Sequence, residues 1–185
     1  MDQRPARVVM VCTGNICRSP AMHYLAQREW GDAAEVTSAG IFAEIGMDVP
    51  TPMRMSARRH GLDIPRHRPT QLDRRIIENA DLVLVATQQH ATWIEEEWNG
   101  VPAHAFGIKE AHALTEQAEP PMGASPRERL MNTAGALHMA RVAEPVELRS
   151  LDDPWSLDQE TYDRVMDEIV ESLEAITAWA RLADG

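Results

Sequence analysis

Cysteine is scarce in this sequence: Cys12 and Cys17 are its only two, too few for a disulfide framework. No apolar run approaches the ~18 residues that a membrane span needs. The first ten residues, MDQRPARVVM, lack the long apolar stretch of a secretory leader. These absences lead us to expect a cytoplasmic protein with no membrane partner. Basic residues are outnumbered: 18 Lys and Arg stand against 29 Asp and Glu, for a net charge of −11. That argues against nonspecific nucleic-acid binding, which needs a basic footprint. No G-x-G-x-x-G follows any strand candidate, and there is no G-K-[ST], so a dinucleotide fingerprint and a Walker loop are both missing. The cysteines are spaced C-x₄-C with no paired histidines beside them, which is not metal-ligand spacing. Neither a metal nor another cofactor is expected.

What is present reads as an α/β domain. At ~150 residues per domain, 185 residues make one domain, and we expect it to span 1–185. Arg7 to Cys12 and Asp81 to Ala86 are short, continuously apolar and β-branched, as in strands covered on both faces of a parallel sheet. Glu35–Ala39 and Ala103–Ile108 are weaker strand candidates. Helical patterns lie between them: Ser19 to about Trp30, Thr51 to Gly61, Leu72 to Asn79, His90 to Trp98, and a last helix from about Leu157 to Leu182. Such alternation argues for right-handed crossovers. The stretch 109–150 breaks the rhythm with Pro120-Pro121, Gly123, Ser125-Pro126 and Pro145. It reads as an insertion holding one helix, Arg127 to Val142, and is either a surface decoration or a flap over the site.

The chemistry sits in Cys12-Thr13-Gly14-Asn15-Ile16-Cys17-Arg18-Ser19-Pro20. A strand ends at Cys12 and a helix is expected to start at Ser19, which is the geometry of an anion cradle. Loop N–H groups point inward and the helix N-terminus adds partial positive charge. Gly14 permits a backbone that a side chain would block, and Asn15 tolerates a left-handed conformation. Arg18 offers a planar fork to two phosphate oxygens. Cys12 lies at the bottom of this positive bowl, where a thiol's pKa falls below its free value of ~8.5. The phosphate-binding set is therefore Thr13, Gly14, Asn15, Ile16, Cys17, Arg18 and Ser19, with Cys12 as nucleophile.

This segment resembles the C-x₅-R-S-P loop of the low-molecular-weight protein tyrosine phosphatases. The similarity continues at Ser38-Ala39-Gly40, at Asp81-Leu82-Val83-Leu84 and at Asp153-Pro154-Trp155. It implies a three-layer α/β/α, Rossmann-like fold with a twisted four-stranded parallel sheet. It also implies hydrolysis of aryl phosphate esters on a phosphorylated protein, releasing inorganic phosphate. Asp153 is then the general acid, with Asp152 beside it as a competing candidate. Ser19 is expected to bond the Cys12 thiolate, and Asn15, Ser38 and His67 to hold the loop. Phe42 and Trp155 are expected as walls of the substrate cleft. The family resemblance further suggests a protective Cys12–Cys17 disulfide.

A bacterial branch of the family hydrolyses phosphoarginine. Gly40-Ile41-Phe42-Ala43 and Ala86-Thr87-Gln88-Gln89-His90 resemble it, but it carries threonine where this chain has Ile16. An apolar Ile16 favours an aryl ring, so phosphotyrosine is preferred over phosphoarginine. Arsenate reduction with a small thiol and a non-enzymatic phosphate-binding module are the remaining rivals. Arginines crowded between Arg54 and Arg75 could dock an acidic tail.

Overall fold

A computed structural model describes residues 4–100 and 102–182. Four parallel strands form one sheet in the order β2-β1-β3-β4: β1 Ala6–Cys12, β2 Ala34–Gly40, β3 Leu82–Val85 and β4 Ala105–Gly107. Strand side chains alternate between two cores. Ala6, Val8, Met10 and Cys12 of β1, with Leu82 and Leu84 of β3, enter the larger core. Val9, Val11, Val83 and Val85 enter the smaller one. Helices α1 (Arg18–Trp30), α2 (Thr51–Arg59), α5 (Ile108–Thr115), α6 (Pro126–Ala143) and α7 (Gln159–Trp179) bury residues in the larger core. The opposite face is covered by α3 (Arg74–Glu78) and α4 (Gln88–Trp98). These are the three layers that the resemblance implies.

Helix ends follow local chemistry. Gly31 closes α1 with φ +47°, a region open to glycine. Thr87 caps α4 and Asp158 caps α7 by accepting first-turn N–H groups. On α7, Val165, Ile169, Leu173 and Ile176 are all buried, the helical stripe legible in the sequence. The boundaries tighten relative to expectation: α7 occupies 159–179 rather than 157–182, and α3 only 74–78.

The larger departure lies after β4. The expected strand over 103–108 shrinks to three residues, and Ile108–Thr115 is a helix. Glu110 starts it by accepting the Gly107 N–H at 3.0 Å. The irregular segment therefore begins after Thr115. Its helix α6 spans Pro126–Ala143, close to expectation, and it is neither decoration nor flap. Leu130 and Leu137 are fully buried in the main core. Arg129 donates to Ala180 O and Arg181 O just past α7. Arg141 donates to Ala105 O at 2.9 Å and lies 4.2 Å over the Phe106 ring. These anchors put α6 across the N-terminal ends of the strands. The chain then returns to the other end, where the Leu151 N–H donates to Ala86 O at 3.0 Å.

Much of the arginine cluster is internally paired. Arg54 holds Asp48 and the Val49 carbonyl, Arg58 pairs with Asp63, Arg59 with Asp163 and Arg74 with Glu78.

Candidate active site

β1 and β2 are neighbours, while the next strand, β3, lies on the other side of β1. The sheet order therefore reverses at the end of β1, where parallel α/β sheets open a crevice. Cys12 ends β1 there. The loop is Thr13–Cys17, because α1 begins at Arg18, one residue earlier than expected. No acidic residue occupies the first turn of α1 and no side chain caps it. Its partial positive charge is left directed into the loop.

Asn15 adopts φ +57° and is fully buried. Its Nδ2 donates to Ser19 Oγ at 2.8 Å, and Ser19 Oγ lies 2.9 Å from Cys12 Sγ. The Asn15 N–H occupies one lone pair of Ser19 Oγ, which leaves the hydroxyl proton free to be given to the sulfur. Asn15 Oδ1 accepts from Thr70 N at 2.9 Å. His67 is buried, and its Nε2 donates to Asn15 O at 3.0 Å. The Tyr24 hydroxyl donates to His67 Nδ1 at 3.1 Å, and burial lowers the His67 pKa. His67 is thus a neutral, buried support of the loop rather than a surface side chain.

The segment after β2 zips onto the same loop. Ile41 N donates to Cys12 O, Phe42 N to Thr13 O and Glu44 N to Gly14 O, at 2.9–3.0 Å. The glycine that this approach demands is Gly40. A Cβ there would lie 2.4 Å from Thr13 O and 2.9 Å from Asn15 N. Gly14, expected to need its freedom, has no left-handed φ; a Cβ there would come tightest to the flexible Glu44 side chain, at 3.1 Å, with Ile16 at an ordinary 3.5 Å.

The cavity above Cys12 has a volume of about 100 Å³. Thr13, Ile16, Arg18, Glu44, Asp153 and Trp155 line it. Arg18 is 4% exposed. It donates to Leu151 O at 3.2 Å and sits 3.4 Å from Asp153 Oδ2. Its Nε is buried without a hydrogen-bond partner among the described residues, an orphan donor suited to an anion. Asp152 turns away to Arg164, at 2.8 Å, so of the two adjacent carboxylates only Asp153 borders the cavity.

A low molecular weight phosphotyrosine protein phosphatase model matches residues 7–115. The chain belongs to that family. Among relatives of this phosphatase, a low molecular weight protein-tyrosine-phosphatase of Acinetobacter johnsonii is 34% identical over 101 residues, covering 55% of this chain and 70% of the relative. A protein-arginine-phosphatase of Geobacillus stearothermophilus is 34% identical over 106 residues, covering 57% and 71%. Among solved structures, the YwlE arginine phosphatase of G. stearothermophilus superposes with a TM-score of 0.69 at 24% identity, over 94% of this chain and 92% of that one. The Escherichia coli K30 tyrosine phosphatase Wzb does so at 0.66 and 20%, over 95% and 96%.

Three expectations for this family member meet a different geometry. Ser38 Oγ pairs with His23 Nδ1 at 3.2 Å and makes no bond to the phosphate loop. His23 is itself stacked on Tyr24. Phe42 does not line the cavity; it packs edge-on against Trp93, 5.8 Å between centroids, and Glu44 lines the mouth instead. Cys12 and Cys17 are both buried free thiols, with no disulfide between them. Burial, with Cys12 nearby, pushes the Cys17 thiol up to about 12, and the Tyr162 hydroxyl lies against it. Trp155 does line the cavity, 45% exposed. Sequence reasoning missed Glu44, and it quoted Gly40 and His90 only within family-like segments, without their contacts to the loop. His90 Nε2 lies 2.9 Å from Thr13 Oγ1. No local motif points to that pair, 77 residues apart.

Proposed function

We propose that this phosphatase hydrolyses phosphotyrosine on protein substrates through a cysteinyl-phosphate. The observation that carries the reading is the cavity itself. An orphan Arg18 Nε and a Ser19-bonded Cys12 form its floor, and Ile16 and Trp155 form apolar walls. Cys12 Sγ attacks phosphorus while the bond to the tyrosine oxygen breaks. Asp153 gives its proton to that leaving oxygen. In the second step Asp153 takes a proton from water, whose oxygen attacks phosphorus, releasing inorganic phosphate and the thiolate. Arg18 and the loop N–H groups hold the equatorial oxygens throughout. No step calls on a metal or on any other cofactor.

Glu44 favours a second reading. A carboxylate at the mouth is a partner for a guanidinium, which phosphoarginine carries and phosphotyrosine lacks. The experiment compares release from phosphotyrosine and phosphoarginine peptides by wild type, Cys12→Ser and Glu44→Gln. Cys12→Ser abolishes turnover on both and still binds phosphate. On the first reading, phosphotyrosine is the better substrate and Glu44→Gln leaves it so. Preference for phosphoarginine, with KM raised by Glu44→Gln, would establish the second. Asp153→Ala slows release by ~10²–10⁴, whereas Asp152→Asn stays near wild type.

A further inference from the structure

His90 is buried in the first turn of α4, and its hydrogen bonds fix its tautomer. The Thr87 backbone N–H donates to Nδ1 at 3.1 Å, and the Thr87 hydroxyl also lies beside that nitrogen, at 3.0 Å. An amide N–H cannot face a second N–H, so Nδ1 is the acceptor and the ring proton is on Nε2. Burial, reinforced by the Arg18 charge, lowers the His90 pKa to about 4, so the ring is neutral at pH 7. Nε2–H then donates to Thr13 Oγ1 at 2.9 Å.

That donation fills one acceptor site of the Thr13 hydroxyl and leaves its proton unspent. Thr13 lines the cavity with Cys12, Arg18 and Asp153. Among the described residues its hydroxyl makes no hydrogen bond other than that to His90. We propose that the Thr13 hydroxyl, turned into the cavity by His90, donates to a phosphoryl oxygen of the bound substrate. Thr13 is then a substrate-binding residue and His90 its positioning residue. Thr87 in turn sets His90, so the N-terminus of α4 reaches the reacting group through three side chains. This proposal rests on the phosphatase reading of the site.

The test is direct calorimetric titration with inorganic phosphate, beside steady-state kinetics on an aryl phosphate. A hydrogen bond to a charged oxygen sets the scale: Thr13→Val weakens phosphate binding about 10-fold. It raises KM similarly and leaves kcat nearly unchanged, because the bond is made in ground and transition states alike. Thr13→Ser keeps the hydroxyl and restores affinity. His90→Leu weakens binding less than Thr13→Val and adds nothing to it in the double variant. His90→Gln, which keeps an N–H at that reach, rescues the loss. A matching urea midpoint for Thr13→Val and wild type shows that folding is intact. Wild-type affinity in Thr13→Val, or additive losses in the double variant, would overturn the proposal while wild-type turnover upheld the phosphatase reading. A wild type that neither binds phosphate nor turns over would overturn both.

Discussion

The carbonyls of Cys12, Thr13, Gly14 and Asn15 are each held by a donor outside the phosphate loop, and single residues show how tightly. Gly40 is the sharpest case. The oxygen and nitrogen that a Cβ would strike belong to the backbone of the loop itself, so they yield only if the cradle deforms. Gly40→Ala is therefore expected to cost ~1–3 kcal/mol of stability. Displacing the cradle also costs about 10²-fold in kcat/KM. Urea unfolding and steady-state kinetics on one preparation measure both, and loss of stability with full activity would show that the loop absorbs the methyl. The loop from Cys12 to Pro20 was legible because its parts are contiguous: strand end, glycine, asparagine, arginine and a helix start that needs no cap. The loop contacts of Gly40, Glu44 and His90 were not. Each acts on the loop across a gap in sequence that no periodicity crosses, and a lone His or Glu has no pattern. Ser38 shows the reverse error: it has a bonding partner, but that partner is His23.

Among the elements, β1, β3 and α7 were legible because apolar runs and a helical stripe are strong signals, whereas α5 has only eight residues and short helices carry little pattern. The role of α6 could not be read from its sequence. Prolines around it suggest a loop-like insertion, and only its seating under the strands shows Leu130 and Leu137 as core. Leu137→Ala is expected to destabilise by ~2–5 kcal/mol. Because α6 lies at the end of the sheet away from Cys12, kcat and KM stay at wild-type values at temperatures where the variant is folded. A thermal melt paired with kinetics well below the midpoint checks this; a loss of kcat in the folded variant would give α6 a share in the site.

For the whole molecule, buried histidines shape the response to acid. Burial brings His23 and His90 from an ordinary 6.5 down to about 4, and His67 shifts the same way. Between those limits the unfolded chain binds more protons than the folded one. Stability is therefore full above about 6.5, declines as pH falls toward about 4, and loses nothing more from these groups below that. Asp48 and Asp81 have lowered values, so their contribution fades only at still lower pH. Guanidinium unfolding at pH 7, 5.5 and 4.5 should give falling midpoints, and His23→Gln should flatten the slope. A midpoint flat from 7 to 4.5 would mean that these rings do not stay neutral in the fold.

The seating of α6 also gives the molecule a usable far end. Met122, in the loop before α6, is 84% exposed, while its carbonyl is pinned by Asn132 at 2.8 Å. The seven residues of β1, at ~3.3 Å each, separate that end from Cys12. A tether or reporter dye attached at position 122 would hold the protein by its base, with the phosphate cradle facing freely into solution.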